Sequence, residues 1–193
     1  MQRGKLVGII AVIGVIVLFL IIFGGWYVST RNTLVTLEEG IDAAWSKIDN
    51  QLQRRSDLIP NLVATVKGYA AHERQLFEKV TEARTRAMGA ATPQEKAKAE
   101  NFLSSTLKTL FAVSENYPEL KASTNFLELQ RELRDTEDKV QAARRFYNGN
   151  VRDLNIKIET FPAKIIASMF GFKKMDLFEI ENVEEREGPE VKF

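Results

Sequence analysis

Leu6 to Val28 is a run of twenty-three residues without one charged side chain. A helix rising about 1.5 Å per residue carries such a run through ~34 Å, enough to cross a ~30 Å hydrocarbon core with some tilt. Trp26 and Tyr27 close the run, where an aromatic belt would meet the membrane–water boundary. Arg3 and Lys5 stand before it, as in a signal peptide, but the run exceeds the ~7–15 residues of a signal's apolar region and no A-x-A-like site follows. Residues 1–30 therefore read as a retained single-pass anchor bounded by Leu6, Trp26, Tyr27 and Val28.

About 165 residues follow the run, one domain's worth. Basic residues number 27 and acidic residues 26, scattered among each other, so no basic stripe offers a phosphate backbone a footing and nucleic acid is not expected as a partner. The chain has no cysteine, which removes disulfides, thiolate metal sites and a thiol nucleophile. For orientation, Arg3 and Lys5 precede the span, whereas Arg31 behind it is soon followed by Glu38, Glu39 and Asp42. The positive-inside rule then leans the domain toward the periplasmic side.

Beyond the anchor the apolar residues recur at helical spacing. Leu34, Leu37, Ile41, Ala44, Ile48 and Leu52 alternate steps of three and four along one face. Pro60 lacks a donor and crowds the preceding turn, so it is expected to kink or restart the helix. The stripe resumes through Leu62, Val66, Tyr69, Leu76 and Val80, leaving residues 31–88 as one kinked helix or two. Thr92-Pro93-Gln94-Glu95 has the composition of a helix start, with a capping threonine, proline at the first position and a glutamate to close a capping box. A third stripe is expected along Ala99, Phe102, Thr106, Leu110 and Val113, with Leu103 and Leu107 beside it. The longest stripe runs from Phe126 through Leu133, Thr136, Val140, Tyr147, Val151 and Leu154 to Phe161, a heptad-like seam with one polar step. Ala163 to Phe170 forms a further short helix that Gly171 should end, packing across the bundle end or lying in a membrane interface, with packing preferred. The fold class is all-α: an N-terminal transmembrane helix followed by a long antiparallel three- or four-helix bundle, since short connections make neighbours run in opposite directions. Residues 31–172 form the bundle and 173–193 an acidic, partly disordered tail.

Catalytic material is sparse. His72, beside Glu73, is the chain's one histidine, too few for the paired imidazoles of a helical zinc site. No Gly-rich phosphate loop or nucleophile elbow occurs. A metal-binding or catalytic bundle around His72 and Glu137 is the remote alternative. Glu137, adjoining the polar step of the last seam, needs a partner if buried, and Arg55, Arg84 or Arg144 could supply one. Trp45, Asp49, Arg54, Arg55, Asp57, Asn61, Lys67, Tyr69, His72 and Glu73 crowd around the expected kink, as a network between helices, a docking surface or an ordinary solvated face.

Ala44-Trp45, Asp57-Leu58-Ile59-Pro60-Asn61-Leu62-Val63, Val66-Lys67-Gly68-Tyr69-Ala70 and His72-Glu73 together resemble the LemA family. So do Glu115-Asn116-Tyr117-Pro118-Glu119-Leu120-Lys121-Ala122, Thr136-Glu137, Ala143-Arg144 with Tyr147-Asn148, Phe161-Pro162 and Gly171-Phe172. The resemblance implies a bacterial inner-membrane protein, a membrane helix before a helical bundle, and neither an established enzymatic activity nor a cofactor. It also implies association with membrane organisation, including magnetosome formation in some bacteria, and a place beside genes for membrane-embedded proteases. Family descriptions often set the large domain in the cytoplasm, against the charge asymmetry of this chain.

The expected function is a membrane-anchored, non-catalytic scaffold that self-associates or docks partner proteins at the bacterial inner membrane. The alternative is an adaptor or regulator of another membrane protein such as a protease. The expected partners are the lipid bilayer, further copies of the chain and possible membrane proteins.

Overall fold

The computed structural model describes residues 2–179, with side chains from residue 8 onward, so Leu6 and the acidic stretch beyond Glu179 fall outside the described side chains. All regular structure among the described residues is helical: α1 (Gln2–Lys67), α2 (Arg74–Gly89), α3 (Pro93–Ser114), α4 (Pro118–Lys121), α5 (Thr124–Glu159) and α6 (Ala163–Phe170). The chain divides into two compact units, one of Met1–Gly40 with Asn150–Met175 and one of Ile41–Gly149 with the described segment from Asp176.

In the first unit, α1 opens with the apolar run, long and apolar enough to cross a membrane. Ile9 to Phe23 present their large side chains outward, among them Val17 and Leu20, as lipid contact requires. Farther along, Leu34 of α1, Val151 and Leu154 of α5, and Ile166 and Ala167 of α6 are buried. Close approach of α5 is possible at Gly40, where an added Cβ would stand 3.0 Å from Asn150 Nδ2. Gly171 ends α6 at φ +74, a left-handed conformation suited to glycine, while Phe172 N–H donates to the Ala167 carbonyl at 3.0 Å.

The second unit is the bundle. Ile59, Leu62 and Val66 of α1 meet Leu76, Phe77 and Val80 of α2, Leu103, Leu107 and Leu110 of α3, and Phe126 and Leu133 of α5. Four long helices therefore contribute to this core. The start of α3 is capped as its composition indicates: Glu95 N–H donates to Thr92 Oγ1, and Thr92 N–H donates to Glu95 Oε2, both at 3.2 Å. The backbone N–H groups of Ala91 and Thr92 hold the Glu95 carboxyl below its ordinary pKa.

One open alternative is decided and one expectation needs correction. Residues 31–88, left as one kinked helix or two, belong to two helices; α1 passes through Pro60 to Lys67, and the break falls at residues 68–73. A proline at position 60 leaves the carbonyl of Ser56, four residues back, without its helical donor. Arg84 of α2 supplies that donor, its Nε lying 2.7 Å from the Ser56 carbonyl oxygen. The helix survives because a neighbour replaces the missing bond. The correction concerns the phase of α3. Its buried face runs Ala97, Glu100, Leu103, Thr106, Leu107, Leu110 and Ser114, so Thr106 and Leu110 of the expected stripe are buried with Leu103 and Leu107 beside them, while Phe102 is exposed under the Arg86 guanidinium, 5.1 Å from its ring centroid.

Candidate functional site

The α1 stripe that buries Ile48, Leu52, Ile59, Leu62 and Val66 places Arg55 in the same register, and Arg55 is buried with it. Glu100 takes the corresponding place on α3, and Glu137 stands beside buried Thr136 on α5. The three side chains meet. Arg55 Nη1 lies 3.2 Å from Glu100 Oε2 and 3.0 Å from Glu137 Oε2, and Nη2 donates to Ser104 Oγ at 2.9 Å. One cation thus serves two carboxylates, of which Glu100 is almost fully enclosed and Glu137 partly open. Desolvation pushes the Glu100 pKa up to about 7, with Arg55 opposing and Glu137 reinforcing the rise. A proton on Glu100 leaves the cluster electrically balanced.

A second cluster gathers around Trp45, whose ring meets Tyr147 at 5.8 Å and Phe178 edge-on at 5.4 Å between centroids. Lys96 lies over the indole and pairs with Asp49. Phe178, fully buried, is also held through its backbone: Asn148 Nδ2 donates to its carbonyl at 3.1 Å and Asn148 Oδ1 accepts from its N–H at 2.9 Å. Tyr147 Oη donates to the Asp176 carbonyl at 3.1 Å, and burial, with Asp176 and Asp42 nearby, raises the phenol above its ordinary pKa. The described start of the acidic tail is therefore packed structure.

The remaining polar candidates stand as follows among the described residues. Asp57 accepts from Gln53 on its own helix, Arg54 pairs with Glu132 at 3.5 Å, and Asn61, Lys67, Tyr69 and His72 are exposed. Glu73 precedes α2 without a side-chain capping bond, and Arg144 is half-buried. Among the described residues, no group of three or more His, Cys, Asp or Glu side chains is placed to hold a metal ion. His72 sits in the link between α1 and α2, whereas Glu137 is engaged by Arg55.

Sequence reasoning overlooked Glu100, Ser104 and Lys96. The usable signal was register: Glu100 interrupts the spacing Ala97, Leu103, Leu107, Leu110 as Arg55 interrupts that of α1. A different surface feature is a groove of about 430 Å³ between α1 and α5, lined by Ala44, Lys47, Asn50, Gln51, Lys139, Ala142, Ala143 and Phe146. Phe146 is more than half exposed at its rim.

Residues 44–193, from the residue before Trp45 through the described tail segment, match the model of the LemA family. The magnetosome protein MamQ 2 of Paramagnetospirillum magneticum is 26% identical over 174 residues, covering 77% of this chain and 64% of that protein. The magnetosome protein MamQ of Magnetospirillum gryphiswaldense is 24% identical over 188 residues, with 84% of this chain and 69% of that protein covered. Protein LemA of Metamycoplasma hominis is 27% identical over 162 residues, covering 82% of this chain and 73% of its own length. The chain thus spans about 64% of the length of the first of these relatives. With the family match covering the bundle, both buried clusters and the segment that closes over Trp45, the chain belongs to the LemA family.

Proposed function

We propose that this protein is a membrane-anchored, non-catalytic scaffold whose bundle associates with a second copy of itself through the α1–α5 groove. The observation that carries the reading is the groove's lining: the small side chains of Ala44, Ala142 and Ala143 leave room for another helix, and Phe146 stands exposed beside them. The conspicuous buried charges support the same reading, because Arg55, Glu100 and Glu137 are spent on one another inside the bundle. The apolar run of α1 supplies the anchor, in a bacterial inner membrane. The Arg3 and Lys5 side of the span faces the cytoplasm in this reading, and the bundle faces the periplasm.

Because the chain lacks cysteine, single cysteines report contacts without background. Phe146→Cys in the full-length protein, crosslinked in its native membrane with a short bismaleimide, should give a dimer band, whereas Glu78→Cys on exposed α2 should not. Monomer alone from both variants would sink the self-association.

An adaptor role is the second reading, favoured by the exposed polar side chains of Asp57, Asn61, Lys67, Tyr69 and His72 around the end of α1. A membrane protease is a partner class consistent with it. Asp57→Ala with Tyr69→Ala should then weaken co-purification of such a partner from detergent-solubilised membranes. Undiminished recovery with a folded variant would count against that face.

A further inference from the structure

From Ile9 to Phe23 the large side chains point outward, and Tyr27, half-buried near the end of the apolar run, meets the Phe170 ring of α6 at 6.2 Å between centroids. Arg31, one turn on, lies over the same ring, 4.9 Å from the Phe170 centroid. Within this unit, then, α6 is fixed at the height where the apolar run gives way to polar sequence. One face of α6 is satisfied by protein, with Ile166 and Ala167 buried. Its other apolar residues are not covered: Phe161 is 78% exposed, Ile165 54% and Met169 67%. Ile165 and Met169, four apart, share one side of α6, and Phe161 stands exposed in the turn before it. Lys164 and Lys173 are exposed nearby, while Lys174 is paired with Glu159.

Apolar residues on a short helix are costly in water, and cations beside them match anionic headgroups. We propose that α6 is an interfacial helix, seating Phe161, Ile165 and Met169 in the headgroup–acyl boundary of the leaflet that Tyr27 reaches, with Lys164, Lys173 and Arg31 toward lipid phosphates. This inference rests on the membrane anchoring of α1 and adds a second, parallel contact with the same bilayer. The continuity with the span selects the occupant: a lipid surface is already present at that height if α1 crosses the membrane.

The test uses full-length protein carrying one cysteine, labelled with an environment-sensitive fluorophore, in vesicles of phosphatidylcholine with a minority of phosphatidylglycerol. Met169→Cys reports α6, Val17→Cys the span, and Glu78→Cys the solvated bundle surface. Met169→Cys should emit to the blue of Glu78→Cys and be quenched by lipids brominated near the headgroup end of the chain. Adding Ile165→Asp should restore access to aqueous iodide several-fold while far-UV circular dichroism stays unchanged. Met169→Cys fully open to iodide, with Val17→Cys quenched by lipid, would overturn the interfacial helix and leave the anchor standing. Loss of lipid quenching at Val17→Cys as well would remove the anchor and this inference together. A blue shift at Met169→Cys without lipid quenching would mean that protein covers the face, and lipid quenching unchanged by Ile165→Asp would mean that the stripe does not seat the helix; either result overturns the proposal.

Discussion

Replacing Arg84 by methionine should destabilise the bundle strongly when residue 60 is proline and weakly when it is alanine. The reasoning starts from the Ser56 carbonyl, which belongs to a residue only 2% exposed and has lost its helical donor to Pro60. Arg84 Nε reaches that oxygen at 2.7 Å, a short charged-donor bond across from α2. Hydrogen bonds to charged groups contribute about 1.5–3 kcal/mol, and a buried carbonyl left unpaired forfeits a comparable amount. Methionine keeps most of the aliphatic stem, so packing loss stays small and Arg84→Met should cost about 2 kcal/mol. In a Pro60→Ala background the amide of residue 60 can donate to Ser56 again. The same Arg84→Met change should then cost less than about 1 kcal/mol, leaving a coupling of roughly 1–2 kcal/mol between positions far apart in sequence. Urea unfolding of the four full-length proteins in one detergent, followed by far-UV circular dichroism, measures the cycle. Equal losses in both backgrounds would refute the replacement of the proline's missing bond by Arg84.

Other outcomes follow from the two buried clusters. Since burial raises the Glu100 pKa from 4.5 to about 7, the native state binds this proton more tightly than the unfolded chain does. Stability from this group is full below about pH 4.5 and declines as pH rises through about 7, by on the order of 3 kcal/mol if the full shift is realised. Glu100→Gln should flatten that decline in urea midpoints compared between acidic and mildly alkaline pH; an unchanged slope would assign it elsewhere. Arg55→Met leaves Glu100 and Glu137 without their shared cation and should cost about 3–5 kcal/mol near neutral pH, with part of the loss recovered in acid. Phe178→Ala empties the space against Trp45 and should cost about 3–5 kcal/mol. In a Trp26→Phe background the same change should shift Trp45 emission to the red, and an unmoved spectrum would contradict the packing of that segment over the indole.

What could be read from the sequence depended on whether the cause was local. The seams of α1 and α5 were legible because steps of three and four persist through many turns, and Leu34 to Leu52 and Phe126 to Leu154 are largely buried as that spacing requires. The Thr92–Glu95 start was legible because its hydrogen bonds close within four residues. The outcome at Pro60 stayed open because the donor that settles it, Arg84, is remote in sequence. The phase of α3 misled because Phe102 counts as apolar in any periodicity, yet an arginine from α2 shelters it at the surface. Among the candidate site residues, proximity along the chain gathered ten polar side chains around residue 60, but the fold sorts them by helix face. Arg55 points into the core, Trp45 and Asp49 join another cluster, and His72 remains outside.

The segment over Trp45 is gripped by neighbouring residues of α5 that read main chain: Tyr147 binds the carbonyl of Asp176, and Asn148 binds both backbone groups of Phe178. Leu177, between them, is exposed. Such a grip registers chain length more strictly than side-chain identity. Position 177 should accept many residues over evolutionary time, whereas one inserted or deleted residue there would pull either the tyrosine or the asparagine off its target. In this stretch, indels should be far rarer than substitutions.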